Sequence, residues 1–381
     1  MGPRYLEEER GLLEQVMPGL DACLAETPLA ELERPGGPAL AAFRAAGGPA
    51  LLVPAVHGGA GAGLLTAVRV QRAVGSRSPS LAVGTTMHHF SVASLAEAAA
   101  ASDGMEWLLL AAIARENLLL ASGFAEGDPG RGILTPSLTA RVEDGKIWLS
   151  GAKKPCSLAR SMDLLTASVA LPEPDGSSRL AVALVPAAAA GLTVRPFWNS
   201  PVLAGAESEE VVLEDVEVPA DLVVRTEVTR DGRLDRLQTA GFVWFEALMT
   251  ASYLGVASAL VERVLAAPRA EASVRAEAAT AVHGAVLALE GLARTVDAAG
   301  DAAPDDRTLA DALVCRYTAQ HVIARVAGEC AEALGGMAFV SSGDVAALHA
   351  ACRALAFHPP SRAKMGEALA GHFNGGPLRI G

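Results

Sequence analysis

Residues 353–366 read RALAFHPPSRAKMG, and the interpretation of the whole chain starts from this segment. Arg353 stands five residues before His358, and two prolines, Pro359 and Pro360, follow the histidine at once. Proline cannot continue a helix, and it biases the residue before it away from helical backbone angles. We therefore expect a long helix to stop at His358 and to leave its imidazole ring free to enter a cavity.

The composition is that of a large acidic globular protein. The chain has 381 residues, of which 51% are hydrophobic, and this is enough to bury a large core. A net charge of −12 without a basic stripe argues against a nucleic-acid partner. Charged residues near the N-terminus argue against a secretory signal, and the apolar run at 107–114 is too short to span a membrane.

The cysteines indicate a reducing compartment. They are odd in number, widely spaced and form no CxxC pair, so we expect a cytoplasmic protein without disulfides or a zinc knuckle. The five residues are Cys23, Cys156, Cys315, Cys330 and Cys352.

The hydrophobic pattern divides the chain into three regions. Residues 1–115 read as helices with short breaks, and residues 116–226 hold short β-rich runs separated by turns. From 227 to 381 apolar residues recur three and four positions apart, as in a helix of a bundle. The pattern predicts an α+β fold with a small antiparallel β-domain between two helical regions. The predicted strands cover residues 146–150, 163–169, 180–185, 192–194 and 211–213.

A second informative segment, GAKKPCSLARSMD, covers residues 151–163. It resembles a strand of flavoenzymes with the acyl-CoA dehydrogenase fold, and the order helical, β, helical matches that fold over nearly the whole chain. The resemblance implies an N-terminal helical domain, a β-domain and a C-terminal four-helix bundle, with the flavin between the last two. Two departures are Pro155, where the family usually has an aromatic residue, and Leu158, where it usually has glycine.

Within this fold, the segment around His358 resembles the oxygen-using branch. Dehydrogenases usually carry a glutamate base near this point, whereas this chain reads Phe357-His358-Pro359-Pro360. That pattern is similar to dibenzothiophene monooxygenase, the oxygenase of 4-hydroxyphenylacetate hydroxylase and the sugar nitrososynthases. The resemblance implies that His358 is catalytic and handles protons beside the reduced flavin, since an unperturbed histidine titrates near neutral pH.

The resemblance also implies which residues touch the cofactor. Ser157 matches the hydroxyl residue that hydrogen-bonds the flavin ring edge, which makes it the second catalytic candidate; the alternative is that it caps a turn. Cys156 is either a flavin neighbour or a small packing residue, and Gly335-Gly336 resembles a turn near the adenosine half of FAD. The predicted cofactor contacts are Ser122, Gly123, Lys153, Cys156, Ser157, Gly335 and Gly336.

The identity of the cofactor follows from a missing motif. Many dehydrogenases of the fold hold the FAD pyrophosphate with an Arg-x-Gln-Phe-Gly segment, which residues 266–275 do not keep. We expect weakly held FAD, with FMN as the alternative, and reduced flavin that a separate reductase supplies.

Residues from two helices are expected to reach the substrate. His88 and His89 lie where the N-terminal region of the fold approaches the substrate cavity, and Phe245 aligns with the bundle position that supplies the base in some dehydrogenases. Adjacent histidines on a helix point apart, so we predict no metal site. Glu246, beside Phe245, is a candidate buried base with a raised pKa.

Three functions remain in competition at this stage. The favoured function is a two-component-type flavin-dependent monooxygenase that hydroxylates or N-oxidises a small organic substrate. The alternatives are a dehydrogenase of an acyl-CoA or acyl-carrier-protein thioester that uses Glu246, and a catalytically decayed member with an assembly role. In each case the resemblance implies a homodimer or a homotetramer.

Overall fold

The computed structural model describes residues 4–101, 104–127, 134–173, 175–226, 234–300 and 302–380. These residues form a mixed α/β structure with twelve α-helices and an eight-stranded sheet. The helices before the sheet are α1 Glu7–Val16, α2 Leu20–Glu26, α3 Leu29–Leu32, α4 Pro38–Ala45, α5 Leu64–Arg77, α6 Pro79–Ala101 and α7 Glu106–Glu116. Those after it are α8 Arg236–Ala266, α9 Ala272–Ala298, α10 Asp306–Ser341, α11 Asp344–Cys352 and α12 Arg362–Phe373.

The sheet occupies the middle of the chain. Its strands are β1 Leu120–Gly123, β2 Thr139–Glu143, β3 Lys146–Cys156, β4 Leu164–Pro172, β5 Ser178–Pro186, β6 Leu192–Arg195, β7 Glu209–Val218 and β8 Val223–Arg225. The order is β6-β7-β3-β2-β4-β5-β8, and most neighbours are antiparallel as predicted. The prediction of a purely antiparallel sheet is wrong, because β1 runs parallel to β4 and β2 touches β4 through one parallel pair.

One apolar core joins helices from both ends of the chain. Helix α8 packs against α5 and α6 on one side and against α9, α10 and α11 on the other, which makes it the central helix. Its N-terminus is fixed by a capping box between Asp235 and Gln238. The helix is long and apolar enough to span a membrane, but 94% of its most apolar window is buried in the protein, as in a core helix. Residue 227, the first of the predicted third region, lies outside the described residues, and the three predicted boundaries stay predictions.

The chain turns sharply before His358, although not at the end of a long helix. Helix α11 has nine residues and ends at Cys352, a 3₁₀ turn covers Ala354–Phe357, and His358 is extended with φ −74° and ψ 138°. The two prolines that follow explain the extended backbone, since proline excludes the helical region for the residue before it.

Candidate active site

A cavity of about 390 Å³ lies between the sheet and the helices. Helices α6 and α8 form one side, strands β1, β4, β5 and β8 form the other, and the turn before His358 contributes to the lining. Three of its aromatic side chains contact each other, since the Phe90 ring lies 5.6 Å from that of Phe124 and 5.5 Å from that of Phe245. Phe245 therefore lies where the sequence placed it, whereas Phe90 and Phe124 were not predicted.

The sheet side of the cavity is rich in hydroxyl groups. Ser122 of β1 pairs with Ser157 through an isolated bridge, and the Ser157 and Ser208 hydroxyls lie 3.0 Å apart. Ser157 and Ser122 thus stand together at the cavity, as predicted for two cofactor contacts. Among the described residues, none of the lining side chains carries a formal charge at neutral pH. The lining can bind a ring with apolar faces and a polar edge, but it offers no counter-ion for a buried charge.

Lys153 lies behind this wall and does not line the cavity. Its ammonium group is buried, paired with Glu126, and 3.0 Å from the hydroxyl oxygen of Ser168, which does line the cavity. An ammonium group can only donate hydrogen bonds, so the Ser168 oxygen accepts this one. The proton of Ser168 is consequently available for a partner in the cavity, and Lys153 acts on the cavity through Ser168.

His358 lines the cavity and is held from the opposite side. Its Nε2 lies 2.8 Å from the phenol oxygen of Tyr253, a fully buried residue of α8. Burial and the positive charge of Arg316 lower the pKa of His358 to about 3. The ring is therefore neutral at neutral pH, which differs from the expectation of a histidine that titrates there. It can serve as a neutral hydrogen-bonding group but not as an imidazolium acid.

Glu246 is buried as expected, but it is not among the residues that line the cavity. Its two carboxylate oxygens lie 2.8 and 2.7 Å from one guanidinium nitrogen of Arg316, and both side chains are fully buried. Burial raises the pKa of Glu246 to about 7, and the guanidinium opposes this effect. The geometry makes this carboxylate the counter-ion of Arg316.

Arg316 links this ion pair to the turn that carries His358. Its guanidinium donates to the carbonyl oxygens of Pro359 at 3.1 Å, of Leu355 at 3.4 Å and of His358. The neighbouring Tyr317 hydroxyl donates to the Pro360 carbonyl at 2.9 Å. Neither Arg316 nor Tyr253 was predicted as a site residue. Each stands in an apolar helical stretch, where a buried arginine or tyrosine needs a polar partner, and this was the one sequence feature that could have indicated them.

The structure does not bring the two predicted substrate histidines to the cavity. The Leu120 amide donates to Nδ1 of His88 at 3.1 Å, and Nε2 therefore donates to the Pro49 carbonyl at 3.0 Å. Burial lowers the pKa of His88 to about 4, and that of His89 falls well below its usual value for the same reason. His89 packs edge-on against Phe43 at 5.7 Å. Both histidines are core residues, and His88 joins the first helical region to the sheet.

Four predicted cofactor contacts also lie away from the lining. Cys156 is fully buried, and burial raises the pKa of its thiol to about 12, so it is a packing residue. Gly123 belongs to β1 but is not among the lining residues. Gly335 forms a kink in α10 with φ 83°, and neither it nor Gly336 lines the cavity.

The departure at Leu158 from the family pattern has a clear structural consequence. Leu158 adopts φ 64°, in the left-handed region that glycine tolerates best. Its side chain is buried in the apolar core of the sheet, and this packing offsets the backbone cost.

Comparison with known proteins agrees with this architecture. No protein-family model matches the chain. The chain is 47% identical over 380 residues to isobutylamine N-hydroxylase of Streptomyces viridifaciens, which covers 99% of this chain and 100% of that protein.

Two solved structures show the same fold at lower identity. KijD3 in complex with FMN and dTDP-3-amino-2,3,6-trideoxy-4-keto-3-methyl-D-glucose has a TM-score of 0.85 and 20% identity, with 96% of this chain and 94% of KijD3 covered. A nitrososynthase of Micromonospora carbonacea var. africana has a TM-score of 0.77 and 23% identity, with 98% and 97% covered.

These relationships confirm the predicted branch of the fold. The relative of high identity is an N-hydroxylase, and the solved structures of the same fold include a nitrososynthase. The chain belongs to the isobutylamine N-hydroxylase family, within the monooxygenase branch of the acyl-CoA dehydrogenase fold.

Proposed function

We propose that the protein is a flavin-dependent N-hydroxylase of small aliphatic primary amines. The observation that carries the proposal is its 47% identity to an isobutylamine N-hydroxylase over nearly the full length of both chains. The site supports it through a compact cavity with apolar and aromatic walls, a band of hydroxyls and a neutral histidine.

The cofactor that fits this wall is a flavin. Its ring has apolar faces, which the phenylalanines and leucines of the cavity can cover, and a polar edge, which the hydroxyls of Ser122, Ser157 and Ser168 can bind. FMN and FAD share this ring, so the same side chains can bind either cofactor. When bound, reduced flavin supplies two electrons and activates dioxygen for transfer of one oxygen atom to the substrate nitrogen.

The overall reaction balances as an N-hydroxylation. A primary amine, dioxygen and reduced flavin give the hydroxylamine, water and oxidised flavin: a nitrogen–oxygen bond forms, the oxygen–oxygen bond breaks, and the second oxygen atom leaves as water. Because the described lining offers no counter-ion, the cavity favours the neutral amine over the ammonium form. The neutral amine is also the form with a free electron pair on nitrogen.

The lining residues have two roles, which are binding of the flavin ring and substrate and hydrogen bonding at the reacting atoms. Ser157 and Ser168 hold the polar edge of the ring, while Phe90 and Phe245 shape the apolar part of the cavity. His358 stands at the cavity as a neutral hydrogen-bonding group and orients the reacting oxygen or the amine.

A comparison of two histidine variants tests the proposal. Reduced FMN or FAD, oxygen and isobutylamine are supplied together with a flavin reductase, and the hydroxylamine is measured by mass spectrometry. His358→Ala should lower turnover by ~10²- to 10³-fold, the usual cost of removing one positioned hydrogen-bonding group. His283→Ala is the matched control, because His283 is exposed on α9. Equal turnover of both variants would remove His358 from the mechanism.

The assembly and partners of the enzyme extend the same proposal. A separate reductase supplies reduced flavin, and the protein acts in the cytoplasm as a homodimer or homotetramer. The support for assembly is an exposed apolar segment after the kink in α10, where Met337 is 76% and Val340 is 74% exposed. Light scattering that shows a monomer at micromolar concentration would contradict this part.

A further inference from the structure

The contact between Tyr253 and His358 bears on which nitrogen of the His358 ring carries the proton. The Tyr253 side chain is fully buried within α8, and its hydroxyl has one hydrogen-bond partner among the described residues, Nε2 of His358 at 2.8 Å. Burial raises the pKa of the phenol above its ordinary value, so the hydroxyl keeps its proton.

The direction of this hydrogen bond follows from what each group can do. If Nε2 carried the proton and donated it, the phenol proton would have no acceptor within the described structure. A buried donor without an acceptor disfavours that arrangement by roughly 5- to 150-fold. If the phenol donates instead, the phenol and Nε2 are both satisfied, and the ring proton lies on the other nitrogen, Nδ1, at the cavity that His358 lines.

The second ring nitrogen is the one that is free. No hydrogen bond joins His358 Nδ1 to a described residue, and His358 lines the cavity. The charged groups packed near the ring are Arg316 and its partner Glu246, and Arg316 disfavours a second proton on the ring. A neutral ring has one proton, so the position of that proton decides whether the ring donates or accepts.

We propose that Tyr253 is a positioning residue that fixes His358 in its Nδ1–H tautomer, so that the histidine presents a hydrogen-bond donor to the cavity. The tautomer follows from the Tyr253–His358 contact together with a neutral ring, while its use in catalysis rests on the proposed function. A donor at this place stabilises the negative charge that develops on an oxygen atom when an oxygen–oxygen bond breaks. A histidine in the opposite tautomer would present a lone pair instead and would disfavour that charge.

Nitrogen NMR of histidine-labelled protein tests the tautomer directly and needs neither cofactor nor substrate. His358 is assigned as the signal lost in His358→Asn. In the wild-type protein at neutral pH we expect a pyrrole-type shift for Nδ1 and a pyridine-type shift for Nε2. The reverse pattern in the wild type would overturn the proposal without recourse to any variant.

Two tyrosine variants then test the role of the hydroxyl. Tyr253→Phe removes the donor, so the ring should become a mixture of tautomers, and kcat should fall about tenfold or more while KM changes little. Tyr317→Phe is the matched control, because it removes a buried hydroxyl that holds the same turn through Pro360 without touching the ring. It should leave the tautomer unchanged, and an equal loss of the Nδ1–H form in both variants would contradict the assignment.

The two proposals fail in different ways. A wild-type ring in the Nδ1–H form together with no hydroxylamine product would refute the proposed function and leave the tautomer assignment intact. Product formation with a ring in the Nε2–H form would refute the tautomer assignment and leave the function intact.

Discussion

Replacement of Glu246 by glutamine distinguishes a structural carboxylate from a catalytic base. The wild-type carboxylate lies 2.7 and 2.8 Å from a guanidinium nitrogen of Arg316, and neither side chain is exposed. Glu246→Gln keeps the shape of the side chain and leaves a buried cation that faces three carbonyl oxygens and the Tyr317 ring but has no counter-ion among the described residues. Loss of one partner of a fully buried ion pair costs ~3–5 kcal/mol, and we expect a loss of this size in the free energy of unfolding.

Urea unfolding followed by circular dichroism measures the effect. The midpoint should fall while the slope with urea concentration stays unchanged, since the surface exposed on unfolding is the same. Glu290→Gln is the matched control: Glu290 pairs with Arg69 and Arg294, whose side chains are 34% and 51% exposed. Such partly exposed pairs contribute ~0–1 kcal/mol, so this variant should unfold close to the wild type.

Activity alone does not separate the two roles of Glu246. The pair also holds the turn that carries His358, so a structural defect lowers turnover as well. A Glu246→Gln variant with wild-type stability and a turnover reduced by ~10²- to 10⁴-fold would refute the structural role and restore the catalytic base.

Four further predictions follow from individual contacts. Ser168→Ala should weaken reduced-flavin binding about tenfold in fluorescence titrations, because it removes the hydroxyl donor that Lys153 orients. Ser94→Ala should have a smaller effect, because the Ser94 hydroxyl already donates to the Phe90 carbonyl. His88 has an unfolded-state pKa near 6.5 and a folded-state pKa of about 4, so the unfolded chain binds the proton first as the pH falls. The free energy of unfolding should therefore decrease by about 1.4 kcal/mol per pH unit between pH 6.5 and pH 4. His88→Gln should remove this pH dependence in urea titrations. Phe245→Ala should shift kcat/KM toward longer amines by ~10-fold or more per accommodated methylene, and unchanged chain-length preference would place the substrate elsewhere. For wild type, kcat/KM for isobutylamine should rise about tenfold per pH unit below ~10, the range of an alkylamine pKa, and a flat profile would show that the ammonium form binds.

Hydrophobic periodicity accounts for the part of the fold that the sequence predicted. Each of the five predicted strands overlaps an observed one, although the predicted 163–169 begins one residue before β4 and strand β3 extends from the predicted 146–150 to Cys156. Three strands were missed: β1 and β8 have only four and three residues, too few to show alternation, and β2 is mostly exposed and so shows no alternation of buried and exposed positions. The parallel pairing of β1 with β4 depends on the path of the chain through space, which strand patterns do not encode.

The same reasoning explains which site residues were found. Ser157 and His358 stand in segments with a recognisable motif, and the structure brings both to the cavity. The partners that define their chemistry lie far away in sequence: Tyr253 is 105 residues from His358, and Arg316 is 70 residues from Glu246. Spacing along one chain contains no information on such pairs.

The pair His88 and His89 shows that residue type alone does not predict which side chains reach the cavity. Adjacent histidines on a helix were expected to point apart, but the His88 and His89 rings lie 5.3 Å from each other and both contact Phe43. The carbonyl of Pro49 and the amide of Leu120, which satisfy His88, come from segments 39 and 32 residues away. Because any histidine with such backbone partners is a stable core residue, a pair of histidines near a cavity does not predict substrate contact.

Oxygen-isotope labelling of the product tests the central claim most directly. The purified protein is supplied with reduced flavin, isobutylamine and dioxygen labelled with oxygen-18, and the product is analysed by mass spectrometry. The account predicts N-isobutylhydroxylamine that carries one labelled oxygen atom, in an amount that depends on His358. Consumption of reduced flavin to hydrogen peroxide alone, together with anaerobic bleaching of oxidised flavin by an acyl thioester, would contradict it.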